Sequence, residues 1–220
     1  MRSAERTTTL NRDVALVCLA DAVVGASFGA IAVAGGLPVW VPVAMSLLVF
    51  AGGAQFSAVG IVLAGGGPIA AVTTGLLLNT RHLPFGFAVA DVLGPRPLTK
   101  AVGAHLMVDE SVAFALGQSG PEMRRRAYWT SGVALFGAWN VAVLIGALAG
   151  KAIGDTDAFG LDAAFPAVLL ALVLPALRDG QTRKAALAGA VIALVTTPFL
   201  PAGLPVLMSL FGLLALRWKP

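Results

Sequence analysis

The sequence predicts an all-α, polytopic membrane bundle of about eight hydrophobic segments, several of them broken by glycine or proline. Three observations predict it. Of 220 residues, 58% are hydrophobic and 12% charged, and the mean hydropathy is +0.87. A soluble domain carries about 25% charged residues, because its surface must be solvated. Residues 22–80 contain no Asp, Glu, Lys or Arg, and neither do residues 127–150 or 185–216. A hydrocarbon core about 30 Å thick takes about 20 apolar residues per helix, so runs of this length read as membrane spans. The basic residues cluster between the runs, where topology signals belong. The net charge of +4 and pI of 9.8 are therefore not a nucleic-acid groove. Soluble enzymes, nucleic-acid binders and secreted disulfide scaffolds are excluded. Cys18 is the single cysteine, so no internal disulfide or thiolate metal site forms; it reads as a small lipid- or helix-facing residue.

Residues 1–13 read as a cytoplasmic N-terminal tail carrying Arg2, Arg6 and Arg12. They resemble the start of a signal peptide, with Ala20-Asp21-Ala22 as a superficial cleavage site. Asp21 interrupts the would-be apolar core, however, and the apolar run continues past it. An uncleaved first span is expected. Residues 14–218 then form a single transmembrane domain, with spans near 14–34, 39–64, 68–90, 101–117, 128–150, 161–177, 185–199 and 203–217. The fourth is the weakest, because it holds His105, Asp109 and Glu110. The last two are short and separated by Pro198, Pro201 and Pro205, so they are either two crossings or a broken, re-entrant pair.

Eight crossings place four basic clusters on the cytoplasmic side: Arg2/Arg6/Arg12, Arg124–Arg126, Arg178/Arg183/Lys184 and Arg217/Lys219. Both termini are then cytoplasmic, and the Lys151–Asp162 loop, with Asp155 and Asp157, faces out. Arg96 and Lys100 fall outside, against the rule. Asp162 reads as an N-terminal cap on the sixth span. The Arg124–Arg126 run reads as an orientation signal and nothing more.

Glycine (26 residues) and proline (13) are abundant within the spans. Gly25 and Gly29 bracket Ser27, and Gly52-Gly53 sits mid-span just before Gln55. Glycine lets helices approach closely. It also permits unwound backbone, which at membrane depth survives only inside protein or beside a water-filled cavity and which transporters use to present bare backbone groups to cargo. Both readings stand for Gly25–Gly29 and for Gly52-Gly53.

Gly25-Ala-Ser-Phe-Gly29 also matches the G-x-S-x-G nucleophile elbow, which needs a strand-to-helix turn. An intramembrane hydrolase built on Ser27, with His82 or His105 as base, is thus a rival reading, as is a scaffold whose charges only pair with one another. Arg81 is the first charge after 59 neutral residues. A buried cation there needs a carboxylate partner, with Asp21 and Asp109 available, or an aqueous cavity; alternatively its rigid fork receives a substrate carboxylate. His105 and Asp109 stand four apart, on one helical face. With Glu110 they suit a proton-responsive relay better than a metal site, for which too few ligands converge. Gln55, Asn79 and Asn140 read first as interhelical hydrogen bonds. Gly65-Gly66-Gly67 lacks the Gly-Lys-Ser/Thr of a phosphate loop. No metal or cofactor is expected.

Taken together, Gly25-Ala-Ser-Phe-Gly29, Leu48-Val-Phe-Ala-Gly-Gly-Ala-Gln-Phe56, Asn79-Thr-Arg-His82, His105-Leu-Met-Val-Asp-Glu110 and Gly160-Leu-Asp-Ala-Ala-Phe-Pro166 resemble the AzlC family, the large subunits of bacterial branched-chain amino acid exporters. The resemblance covers residues 12–217. Pro84 and Gly53 depart from the family's usual residues, and Pro84 places a kink beside Arg81. The resemblance implies a multi-pass protein of the bacterial plasma membrane that exports valine, leucine or isoleucine. It also implies a small AzlD-type partner subunit and a proton gradient as the driving force. On this reading Ser27, Gly29, Gly52, Gly53, Gln55, Asn79 and Arg81 bind the substrate. Asp21, His82, His105, Asp109 and Glu110 face the ammonium or handle protons.

Overall fold

The structure, a computed structural model, describes residues 2–153, 170, 173–174, 176–200 and 204–215, with the side chains of 8–152, 170, 173–174, 176–200 and 204–214. Asp155, Asp157, Asp162, Arg217, Lys219 and most of the expected 161–177 span lie outside the described residues. Among those described, the chain is helical and contains no strand. It divides into two compact units, residues 1–52 with 79–156 and residues 53–78 with 157–220.

The first unit is built on two 33-residue helices, α1 (Arg2–Ala34) and α8 (Pro121–Ile153). At 1.5 Å per residue each is roughly 50 Å long. Thr8–Ala34 and Pro121–Ala152 are long and apolar enough to cross a membrane. The helix begins at Arg2, so residues 2–13 continue the first span as helix. α1 and α8 run parallel, with Leu10 and Val14 beside Ala127 at one end and Ala30 on Gly150 at the other. Their seam is made of glycine. A Cβ at Gly29 would strike the Val143 carbonyl, and one at Gly146 would strike the Ala26 carbonyl. These are two four-residue glycine pairs, Gly25/Gly29 and Gly146/Gly150, in the small-xxx-small pattern of membrane helices. Away from the seam, Leu16, Leu19 and Val23 of α1 and Val141, Leu144, Ile145 and Leu148 of α8 are exposed. So much bare apolar surface marks contact with lipid or protein.

Position along α8 orders the shorter elements of this unit. α2 (Trp40–Leu48) follows the Ala34 end of α1 and reaches the middle of α8. There the Ser46 hydroxyl donates to Asn140 Oδ1 (2.6 Å), and Asn140 Nδ2 donates to the Phe136 carbonyl (2.8 Å). Asn140 is the interhelical tie expected of it. The helix stops at Val49–Ala51 and restarts at Gly52 as α3 (Gly52–Leu63). The predicted interruption therefore falls just ahead of the glycine pair.

The expected 68–90 span is α4 (Pro68–Asn79) followed by α5 (His82–Ala88), parted at Thr80–Arg81. Pro84 explains the break. It has no N–H to give the Thr80 carbonyl four residues back, and its ring crowds that oxygen. Leu83 N–H bonds Thr80 instead, at 3.0 Å.

The expected 101–117 span is corrected. It is α6 (Pro97–His105) and α7 (Asp109–Leu116), half-helices parted at Leu106–Val108. α6 starts beside the first turn of α8, where Thr99 shares a cleft with Arg125 and Arg126. Tyr128 Oη donates to the Gly103 carbonyl at 2.7 Å, and Leu106 meets Gly132 deeper in. α7 then returns, and its Phe114 packs with Met123 on the Leu10–Val14–Ala127 cluster. The pair enters and leaves at one end of α8. Halves of 9 and 8 residues reach only roughly 12–14 Å each. Arg96 and Lys100, at the start of α6, thus lie at the same end of the unit as Arg124–Arg126.

The second unit contains most of α3, nearly all of α4, and α9 (Gly180–Thr196) with α10 (Leu204–Met208), the last continuing as a 3₁₀ stretch, Ser209–Ala215. α9 and residues 204–215 pack as an antiparallel hairpin, Gly189 against Ser209 and Gly212 against Ala185. Asp179 caps α9, accepting from Thr182 N (2.7 Å) and Oγ1 (2.8 Å).

Candidate functional site

Two interrupted helices meet through one ion pair. Arg81, at the α4–α5 break, places Nη1 2.8 Å from Oδ2 of Asp109, the first residue of α7. Both side chains are partly open, 40% and 45% exposed. Yet Arg81 Nε, Asp109 Oδ1 and the neighbouring Asn79 Oδ1 are each buried and lack a hydrogen-bond partner among the described residues. One spare donor and two spare acceptors thus lie where the two breaks meet. An unsatisfied buried polar atom costs about 1–3 kcal/mol, so a group able to satisfy these atoms would recover that cost.

The position of Asp109 is built locally. Asp109 and Glu110 occupy the first turn of α7, where carboxylates suit the helix dipole. Ser111 Oγ accepts the Val108 N–H at 3.0 Å and gives its own proton to the carbonyl of Val108 (2.9 Å) or Leu106 (3.2 Å). That fastens the turn from which Asp109 projects. Glu110 interacts electrostatically with Asp109, Arg81 and, on α1, Asp21. It also lines a cavity of about 320 Å³ with Val17, Ala113, Phe114, Gly117 and Gln118. Arg81 is thus joined to Asp109 by the ion pair, and the next residue, Glu110, feels the charge of Asp21 on α1.

The other expected residues are placed differently. α1 runs unbroken through Gly25–Gly29, so no bare backbone is presented there. Gly29 is filled by α8, and Ser27 Oγ donates to the Val23 carbonyl of its own helix at 2.9 Å. The elbow that a serine nucleophile needs is absent from this helix. His105 ends α6 while Asp109 begins α7, so the shared helical face expected from their spacing does not form. The His105 ring instead lies edge-on to Phe136 at 5.5 Å. His82 Nδ1 sits 3.1 Å from the Asn79 carbonyl, its ring edge-on to Phe85. Gly52 faces the Trp139 indole. Gly53 and Gln55 belong to the second unit, where Gln55 is fully buried on α3.

Sequence reasoning missed two features. Phe136 receives the rings of both Phe50 (5.2 Å) and His105, so the ends of α2 and α6 converge on one side chain. Arg124 is more than an orientation signal: it grips Asp91 through Nε (3.2 Å) and Nη2 (3.1 Å) and caps the Ala88 carbonyl (3.0 Å). Nothing in a loop aspartate announces such a partner.

A family model described as AzlC protein matches residues 16–153, well over half of the chain. The matched stretch holds Asp21, Arg81, Asp109 and Glu110. No curated protein and no solved structure matches the chain.

Proposed function

The chain belongs to the AzlC family, a membrane family of amino acid transport, and on that premise we propose that it is a secondary transporter exporting branched-chain amino acids. The Arg81–Asp109 pair carries the reading. A zwitterion's carboxylate suits the guanidinium fork, with Arg81 Nε as the spare donor, and its ammonium suits Asp109 Oδ1 and Asn79 Oδ1. Substrate therefore competes with the ion pair itself, and loading and opening become one event. The aliphatic side chain needs a dry, apolar recess. The walls of Val17, Ala113 and Phe114 beside Glu110 offer one.

Coupling is to protons in this proposal, with Asp21 and Glu110 as carriers. The like charges of the two carboxylates oppose one another, so a proton taken up by either relieves the other. A small AzlD-type membrane subunit completes the exporter in the bacterial plasma membrane. The test is efflux of preloaded labelled leucine and valine from cells lacking their own exporters, with and without that subunit and a protonophore. Protonophore-sensitive efflux that Arg81→Ala abolishes, at unchanged membrane levels, supports the proposal. Normal efflux by the Arg81→Ala variant overturns it.

A further inference from the structure

A second open cleft lies at the Arg124 end, between the first turn of α6 and the first three turns of α8. It has a volume of about 540 Å³ and is lined by Thr99, Glu122, Arg125, Arg126, Trp129 and Thr130. The three successive arginines have divided roles. Arg124 is committed to Asp91 and Ala88, whereas neither Arg125 nor Arg126 forms an ion pair among the described residues. Both are exposed. The first turn of α6 adds the Leu98 and Thr99 backbone N–H groups, which its N-cap, Arg96, leaves without a side-chain cap. Thr99 and Thr130 supply hydroxyls. Glu122 is the one acidic group in the cleft and moderates its charge without cancelling two guanidinium groups.

The surroundings are those of a bilayer boundary. The Trp129 indole is partly buried, its Nε1 donating to the Val92 carbonyl at 3.0 Å, which fits the aromatic belt of membrane proteins. One turn farther along each helix, on the faces of Thr99 and Thr130, lie Val102 and Val133, 45% and 57% exposed. Leu98, one turn before Val102 on the same face of α6, is 75% exposed. A phosphate held by the arginines would carry acyl chains down exactly this apolar track, which free phosphate has no use for. We propose that the α6–α8 cleft binds the headgroup phosphate of an anionic diacyl lipid, fastening the base of the re-entrant α6–α7 pair to the membrane surface. Basic pockets between helices at the cytoplasmic face bind such headgroups by the same chemistry.

The test uses the full chain, purified in detergent and titrated with phosphatidylglycerol or phosphatidylcholine of matched chains. Native mass spectrometry reads the lipid retained. One phosphatidylglycerol should be held in preference to phosphatidylcholine. The R125Q/R126Q variant should lose that preference on the order of twentyfold, each basic residue near an anionic surface contributing about a factor of five. R12Q, which removes a charge elsewhere on the chain, should keep it. Millimolar inorganic phosphate should not displace the lipid. Equal retention of both lipids, an unchanged R125Q/R126Q variant, an equal loss in R12Q, or displacement by inorganic phosphate would each overturn the proposal.

Discussion

Arg124 holds Asp91 by two nearly equal N–H···O bonds, 3.2 and 3.1 Å, while the same guanidinium caps the last turn of α5 at Ala88. α5 begins directly after Arg81, so this clamp fixes the far end of the half-helix that starts at the candidate site. Asp91 is half-exposed, which limits the pair to about 1 kcal/mol. R124Q should lower Tm by roughly 2–4 °C for a chain of this size and reduce export. R124K keeps the charge without the fork and should recover only part of the loss. Thermal unfolding in detergent, alongside efflux, checks both expectations.

The Arg81–Asp109 pair separates a transport site from a mere structural tie. R81D and D109R alone each leave like charges facing one another and should lower export at least about tenfold. The R81D/D109R double variant restores the attraction but exchanges donor and acceptor between the two breaks. Its thermal stability should return while efflux stays lost. Efflux that returned with stability would favour the scaffold reading.

The glycine seam gives a paired prediction on one helix. A Cβ at Gly146 collides with the Ala26 backbone, whereas Gly137 faces open space. G146A should therefore destabilise by about 1–3 kcal/mol, the usual cost of overpacking. G137A should be neutral or stabilise by up to about 1 kcal/mol through helix propensity. Comparing the two variants by unfolding in one detergent holds everything else constant.

Asp179 supplies a pH dependence outside the spans. Hydrogen bonds from the Thr182 N–H and hydroxyl hold its carboxyl below the ordinary value of 3.8. The folded form is thus the stronger acid, so the cap contributes fully above pH 3.8 and is lost as pH falls through the depressed value. Carboxyl NMR of Asp179 should titrate below 3.8, with protection of the Thr182 amide falling in step. D179N, which still caps, should abolish the pH dependence and keep the protection.

Much of this arrangement is legible in the sequence because charge in apolar runs is costly. A cation at Arg81 needed a carboxylate, Asp21 or Asp109, and Asp109 is the one it meets. Pro84 marked the kink beside Arg81, and Gly52-Gly53 marked an interruption within three residues of its place. What escaped has physical reasons as well. The Gly25/Gly29 spacing serves packing and broken backbone equally, and only its match to Gly146/Gly150 decides for packing. The 101–117 stretch has the composition of a weak span, and its return shows only in contacts such as Phe114 on Ala127. Arg124 and Asp91, in polar surroundings, look solvated until the fold brings them together.

The seam between α1 and α8 has one more consequence. With the Ala26 carbonyl notched into Gly146 and the Val143 carbonyl into Gly29, neither long helix can slide past the other without backbone striking backbone. Close-packed contacts of this kind switch between discrete arrangements and do not deform smoothly. The long helices are therefore the fixed post of the first unit. Motion is left to its short pieces, pivoting at Val49–Ala51, Thr80–Arg81 and Leu106–Val108, and two of those three pivots are tied together by the Arg81–Asp109 bond.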